Sequence, residues 1–145
     1  MEWSTWRALS LNCRTLANTP HIPLQMPSPR TFVLVVAAGS GQRFGGDLPK
    51  QYQSLAGKPM RHCLETFASH PGIDGILVAI HPAQRDFYET ASAGIAKLMP
   101  PVEGDASRQG SVLNGLERLA AERPDYVLIH DAARPLIDAD TIART

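Results

Sequence analysis

The sequence predicts an α/β domain of three layers, in which a mostly parallel sheet lies between two layers of helices. Three short apolar runs, at 32–37, 76–80 and 126–129, are rich in β-branched residues and typical of strands buried on both faces. Stretches with helical spacing of apolar residues separate them. Strands that alternate with helices predict parallel pairing through right-handed crossovers. The 145 residues are also the length of one ordinary domain.

The elements between these strands follow from proline positions and apolar spacing. A helix is predicted at 59–69, where Pro59 is tolerated in the first turn and Pro71-Gly72 ends the pattern. A second helix is predicted at 82–93. A short strand is possible at 98–103, although Pro100-Pro101 removes two backbone donors there and weakens the pattern.

The strongest helical pattern lies at 107–122. Its predicted buried stripe consists of five apolar residues, namely Val112, Leu113, Leu116, Leu119 and Ala120. Farther along, Asp138 is placed to cap a short final helix.

Composition and charge exclude several classes of protein. Hydrophobic residues make up 43% of the chain and charged residues 19%, as in soluble globular proteins. Lys+Arg and Asp+Glu are 14 each, which removes the positive field of a nonspecific nucleic-acid binder. No run approaches the roughly 18 apolar residues of a membrane span. Cys13 and Cys63 form no CxxC pair, so a reducing cytosol fits best.

The chain divides into a leader, residues 1–31, and a domain, residues 32–145. The leader is rich in proline, poor in acidic residues and without sustained periodicity, and it has no apolar core of a secretory signal. Its composition weakly resembles an organelle transit peptide. A flexible tail, or a start assigned too early because Met26 stands just before the first strand, is the simpler interpretation. We therefore expect residues 1–31 to lie outside the fold.

Ligands of parallel α/β sheets bind beyond the carboxyl ends of the strands. Small, polar and charged residues gather at three such places in this sequence. They are the segments 37–46, 104–109 and 130–135.

The first of these segments is a glycine loop. Gly39 and Gly41 match the beginning of GxGxxG, but Phe44 breaks the dinucleotide fingerprint, and no GKS or GKT closes a Walker A loop. Glycines here would let backbone N–H groups approach an anion, and Arg43 and Lys50 follow them. The alternative is an ordinary strand-to-helix turn with solvated charges.

The segment after the last strand contains Asp131, a carboxylate that could hold Mg²⁺ beside ligand phosphates. Taken alone, Asp131 could equally be a cap or a loop hydrogen-bond acceptor. His130 is interpreted as a packed or hydrogen-bonded residue, and Arg134 as a possible structural ion pair. A nucleoside triphosphate site is indicated by the combination of these features: the glycine loop, the cations that follow it, the carboxylate and a polar helix start.

Four motifs stand at or near these segments: Ala37-Ala38-Gly39-Ser40-Gly41-Gln42-Arg43-Phe44, Pro49-Lys50-Gln51-Tyr52, Ser107-Arg108-Gln109-Gly110-Ser111-Val112 and His130-Asp131-Ala132-Ala133-Arg134-Pro135. Together they resemble one enzyme family, 2-C-methyl-D-erythritol 4-phosphate cytidylyltransferase of the non-mevalonate isoprenoid pathway. The resemblance runs from about Phe32 to Thr145 and implies a Rossmann-like nucleotidyltransferase fold, of which this chain would hold the amino-terminal part. The second and fourth motifs together are specific, whereas the first marks only the wider nucleotidyltransferase class.

The resemblance implies a role for each matching residue. Arg43 and Lys50 would stabilise charge on the α-phosphoryl group, and Asp131 would bind Mg²⁺. The remaining residues would contact the nucleotide. Its phosphates and ribose would lie against Ala37, Ala38, Gly39 and Gly41. Its cytosine would be bordered by Gly104, Asp105 and Ser111, and its ribose by Ala132. Asp105 stands where the family commonly has a second glycine.

The implied reaction is transfer of CMP from CTP to methylerythritol phosphate, with Mg²⁺ as cofactor and pyrophosphate as the second product. A ribitol-phosphate cytidylyltransferase and a catalytically inactive nucleotide-binding fragment are the alternatives. The chain stops before the family's arm and most of its acceptor pocket, so we expect a fragment that binds Mg·CTP weakly and turns over essentially no substrate. CTP and a sugar-alcohol phosphate are the expected partners, without nucleic acid or membrane, and the full-length protein is expected to be a homodimer. A bacterial cytoplasm is the expected location, with a plastid as the lesser alternative.

Overall fold

A computed structural model of the chain describes residues 28–39 and 59–145. The last residues of the predicted leader are described: Thr31 belongs to the first strand, and the N–H of Arg30 donates to the Asp125 carboxylate at 2.7 Å, so the prediction that residues 1–31 lie outside the fold was wrong at Arg30 and Thr31. Expectations for residues 1–27 lie outside the described residues. So do those for Gly41, Arg43 and Lys50 of the glycine loop and the segment after it.

Four parallel strands form one sheet in the order β3–β2–β1–β4. The strands are β1 (Thr31–Ala37), β2 (Gly75–Ile80), β3 (Val102–Glu103) and β4 (Tyr126–Asp131). The three apolar runs of the sequence are strands. The first and the last of these runs, β1 and β4, are direct neighbours in the sheet. The predicted α/β class with a parallel sheet is confirmed.

Helices lie between the strands, and a further short helix follows β4. They are α1 (Pro59–Ser69), α2 (Arg85–Ser92), α3 (Arg108–Ala120) and α4 (Ala139–Ala143). The bounds of α1 are those predicted. Asp138 caps α4 as expected, because its carboxylate accepts the backbone N–H of Thr141 at 2.7 Å.

The helix expected at 82–93 is divided at its start. Pro82–Gln84 form one 3₁₀ turn, which begins where the ring of His81 accepts the N–H of Ala83 at 3.2 Å. Gln84 then leaves helical geometry, and α2 follows. The helix ends at Ser92 because the backbone of Ala93 is extended.

The strand expected at 98–103 is short. Only Val102 and Glu103 pair along β2, and Leu98 adds an isolated bridge to Ile76. Pro100 and Pro101 separate these two pairings and have no N–H to donate to a ladder.

The two central strands, β1 and β2, are buried on both faces, which makes the domain three-layered there. The prediction that 126–129 is also buried on both faces was wrong: Tyr126 and Ile129 are 61% and 44% exposed, because β4 lies at the edge of the described sheet. On one face, alternate residues of β1 and β2 pack against α1, α2 and α4. On the other face, Leu34, Leu77 and Ala79 pack beneath α3 with Leu119. The β2 strand is buried along its whole length, as its uninterrupted apolar sequence predicts.

The buried face of α3 differs from the predicted stripe. Ser111, Gly115 and Leu119 are buried, whereas Leu113 and Leu116 are 56% and 37% exposed. Gly115 allows this because α3 rests directly on Leu34, whose methyl carbons would overlap a Cβ at position 115. Small residues therefore face the sheet, and the prediction that Leu113, Leu116 and Ala120 are buried was wrong.

None of the helices in the described part of the chain is long and apolar enough to span a membrane.

Candidate functional site

The carboxyl ends of β1, β2, β3 and β4 lie level at one edge of the sheet. Ala37 is paired with Ile80, Ile80 with Glu103, and Val36 with Asp131. The segments that follow the strands therefore begin side by side, as expected for a ligand site of a parallel sheet. We call this group of segments, represented by residues 37–39, 104–107 and 131–134, the strand-end site.

Two of these segments touch through Gly104. Its N–H donates to the carbonyl of Ile80 at 2.8 Å, and a Cβ at this position would overlap the Cβ of Ala38. Only glycine allows this approach without displacing backbone. The residues expected to border the phosphates and those expected to border the base therefore lie against each other. Ala37 and Ala38 are themselves buried at this edge.

Asp105 and Ser107 fix the start of α3. The Asp105 carboxylate accepts from the N–H of Ser107 at 3.2 Å and from its hydroxyl at 3.0 Å. These hydrogen bonds from Ser107 hold the pKa of the exposed Asp105 carboxyl below its usual value. Ser107 in turn caps α3 by accepting the N–H of Gly110 at 2.9 Å. The carboxylate is thus ionised and held in one orientation beside the helix start.

Ser111 lies beneath this turn and is almost fully buried. Its hydroxyl oxygen accepts the backbone N–H of Asp105 at 2.9 Å and lies 2.9 Å from the carbonyl of Ser107, to which it can donate. Both hydrogen-bonding capacities are therefore used within the loop. This geometry makes Ser111 a residue that positions the 104–107 segment.

Replacement of Ser111 by alanine is expected to lower the free energy of unfolding by about 1–3 kcal/mol. The N–H of Asp105 and the carbonyl of Ser107 would each lose a partner in a partly buried turn. Urea denaturation followed by circular dichroism measures the change. Ser69→Ala is the matched control, because the exposed Ser69 hydroxyl donates to the carbonyl of Thr66 near the end of α1. Equal effects of the two substitutions would contradict the role assigned to Ser111.

Asp131 is the last residue of β4 and contacts two arginines. The Nε of Arg108 lies 2.9 Å from its Oδ1, and the Nε of Arg134 lies 3.1 Å from its Oδ2. Arg134 thus forms an ion pair, as the sequence interpretation suggested. Arg108 comes from the first turn of α3, 23 positions away. Its ion pair joins the start of α3 to the end of β4, and no pattern in the sequence indicates it.

His130 and Ala132, on either side of Asp131, are held by packing and hydrogen bonds at the sheet edge. The His130 ring packs edge-to-face on Phe67 with centroids 5.2 Å apart, and its Nε2 lies 2.9 Å from the carbonyl of Arg134. The interpretation of His130 as a packed and hydrogen-bonded residue is confirmed. Ala132 is buried, and its N–H donates to the carbonyl of Val36 at 3.0 Å.

An open cavity of about 480 Å³ lies beside Asp131. Five residues line it: His130, Arg134, Pro135, Leu136 and Ile137. Its volume is in the range of small-molecule sites, and Arg134 is the charged group in its wall. Leu136 in its wall is 94% exposed, so this space is an open depression beside the strand-end site.

Whether Mg²⁺ fits here depends on Asp131. Among the described residues, no group of three or more His, Cys, Asp or Glu side chains could hold a metal ion. A single carboxylate is nevertheless sufficient for Mg²⁺ when phosphates and water complete the shell. The Asp131 side chain is 30% exposed, and the side chains of the two arginines that contact it are more exposed still. The donor set thus fits Mg²⁺, provided that an oxygen of Asp131 is released.

The fold and the strand-end site together define a class of protein, the α/β nucleotidyltransferases. Solved structures share the fold: the 4-diphosphocytidyl-2C-methyl-D-erythritol synthase of Anaerococcus prevotii superposes with a TM-score of 0.64 at 22% identity, over 81% of this chain and 50% of that one. The 2-C-methyl-D-erythritol 4-phosphate cytidylyltransferase of Francisella tularensis superposes with a TM-score of 0.60 at 30% identity, over 79% of this chain and 49% of that one.

The family model described as IspD, 2-C-methyl-D-erythritol 4-phosphate cytidylyltransferase, matches residues 31–145. This chain belongs to that family. A bifunctional IspD/IspF enzyme of Rhodospirillum rubrum is 57% identical over 112 residues, which are 77% of this chain and 29% of that protein. The chain thus spans under a third of that bifunctional relative and about half of the solved structures.

Proposed function

We propose that this protein transfers CMP from CTP to 2-C-methyl-D-erythritol 4-phosphate and releases pyrophosphate, with the described chain contributing the nucleotide-binding part. The observation that carries the proposal is the meeting of Ala38, Gly104 and Asp131 at one sheet edge, in a chain that the cytidylyltransferase family matches from residue 31 onward. Ala38 and Asp131 also lie in motifs on which the resemblance rests.

The reaction needs no general base. A phosphate oxygen of the acceptor, already ionised near pH 7, forms the new bond to the α-phosphorus of CTP, and the bond from that phosphorus to the bridging oxygen of pyrophosphate breaks. Catalysis then depends on in-line positioning and on positive charge around the α-phosphoryl group. The structural role of His130 is consistent with a reaction of this kind, because the ring nitrogen that faces the loop is already in contact with the Arg134 carbonyl.

The residues of the strand-end site would divide the substrate between them. The backbone of Ala37, Ala38 and Gly39, together with Gly41, would face the phosphates and ribose, and Ala132 the ribose. The Gly104–Asp105 segment would border the cytosine, with Ser111 holding that segment from below.

The charges would come from the remaining motif residues. Arg43 and Lys50 would stabilise the α-phosphoryl group, and Asp131 would hold the cation. Mg²⁺, when bound, supplies positive charge to the phosphate oxygens. A cytoplasmic homodimer is the proposed form of the whole protein.

The test has a binding arm and a turnover arm. Calorimetric titration of this chain should show weak binding of Mg·CTP and weaker binding of Mg·UTP. Pyrophosphate release, measured on a version extended to the full length of the family, should require methylerythritol phosphate. Preference for UTP, or ribitol 5-phosphate as the better acceptor, would contradict the proposal.

A further inference from the structure

Asp131 has both carboxylate oxygens occupied by arginine side chains. Arg108 donates through Nε to Oδ1 at 2.9 Å, and the Nε of Arg134 lies 3.1 Å from Oδ2. The two arginines come from different elements: Arg108 begins α3, and Arg134 lies three residues beyond the end of β4. The carboxylate is therefore held from two directions.

The same carboxylate is the group that would hold a divalent cation. Each oxygen of this carboxylate has two lone-pair sites, and one site on Oδ1 accepts the short hydrogen bond from the Nε of Arg108. A cation bound to this oxygen would also stand against a like charge at contact distance, without burial to fix the arrangement. The two guanidinium groups and the cation are therefore like charges that compete for one carboxylate.

We infer that Arg108 and Arg134 compete with a divalent cation for Asp131, so that cation binding displaces at least one guanidinium. This inference rests on the proposed placement of Mg²⁺ at Asp131. The arginine side chains are 59% and 77% exposed. Exposed ion pairs contribute little net free energy, so a guanidinium can leave at low cost. The two arginines thereby set how tightly the site holds its cation.

Arg108 gives the sharper test, because its side chain contacts Asp131 across 23 positions of sequence and caps no backbone group in the described residues. The probe is Mn²⁺, titrated into the whole chain at low ionic strength and followed by water-proton relaxation, without nucleotide or acceptor. Arg108→Gln should bind Mn²⁺ roughly twofold to fivefold more tightly than the unchanged protein, the range expected for loss of one exposed ion pair.

Three further variants serve as controls. Arg118→Gln removes the same charge from the same helix, but Arg118 pairs with Glu122 and not with Asp131, so the Mn²⁺ affinity should change less. Arg108→Lys retains the charge and should restore an affinity close to that of the unchanged protein. Asp131→Asn should abolish the binding.

The inference is overturned if Arg108→Gln and Arg118→Gln have the same affinity, or if Arg108→Gln binds Mn²⁺ more weakly. It is also overturned if the unchanged chain binds no Mn²⁺ or if Asp131→Asn binds it equally well. Because the titration contains neither CTP nor acceptor, failure of CMP transfer would leave its result unaffected, and the two proposals can fail separately.

Discussion

Turnover is expected to fall by roughly 10²-fold or more when Lys50 is replaced by alanine, with the fold intact. The ammonium group of Lys50 is proposed to act on charge that develops as the α-phosphoryl group is transferred. A group that acts mainly in the transition state contributes more to kcat than to substrate affinity. Steady-state pyrophosphate release by the extended protein, with saturating Mg·CTP, measures the loss.

The control for Lys50→Ala is Arg118→Ala. It removes one positive charge from an exposed i,i+4 ion pair on α3 and should leave turnover close to normal. Near-normal turnover of the Lys50 variant would remove this residue from the catalytic set. A rise in KM with unchanged kcat would instead assign Lys50 to ground-state binding of the triphosphate.

Phe67→Ala is expected to destabilise the domain by about 3–5 kcal/mol. Phe67 lies near the end of α1 and is 2% exposed in the core between that helix and the sheet. Its ring also packs against the ring of His130 on β4, with an interplanar angle of 74°. The substitution would therefore open a cavity and remove an aromatic contact that links α1 to the last strand. Urea denaturation monitored by circular dichroism gives the change in unfolding free energy.

Phe87→Ala is the comparison, because Phe87 lies on α2 with 43% of its surface exposed. We expect Phe87→Ala to lower the free energy of unfolding by about 1 kcal/mol or less. A loss of similar size at both positions would mean that the α1 side of the sheet is not the main core. Phe67→Leu should recover part of the stability, since it restores apolar volume without the ring contact.

The sheet and α1 could be predicted because their signals are local. An apolar run such as 76–80 has few alternatives to a buried strand, and Pro59 and Pro71 delimit α1. The place of the strand-end site also followed, since parallel strands bring their carboxyl ends to one edge whatever their order. The extent of β3 was less predictable because it depends on how far the chain can pair after two prolines.

The features that were missed depend on contacts distant in sequence. Hydrophobic spacing favoured Leu113 and Leu116 as the buried face of α3, but the close approach of Leu34 requires Gly115 there instead. No sequence pattern indicates the Arg108–Asp131 ion pair. The two side chains come within contact distance only when α3 and β4 have packed together. Steric fit between α3 and β1 determines the buried face of α3, and charge pairing between α3 and β4 determines the ion pair.

The central position of β1 affects how the domain assembles. Residues paired between β1 and β2 are 43 positions apart, whereas those paired between β1 and β4 are 95 positions apart. Closing the longer loop costs about 0.6 kcal/mol more in chain entropy, and such distant pairings slow folding. The topology therefore favours early pairing of β1 with β2 and late arrival of β4. Because Asp131 and its ion pair with Arg108 arrive with β4, the acidic side of the strand-end site would be among the last parts of the molecule to form.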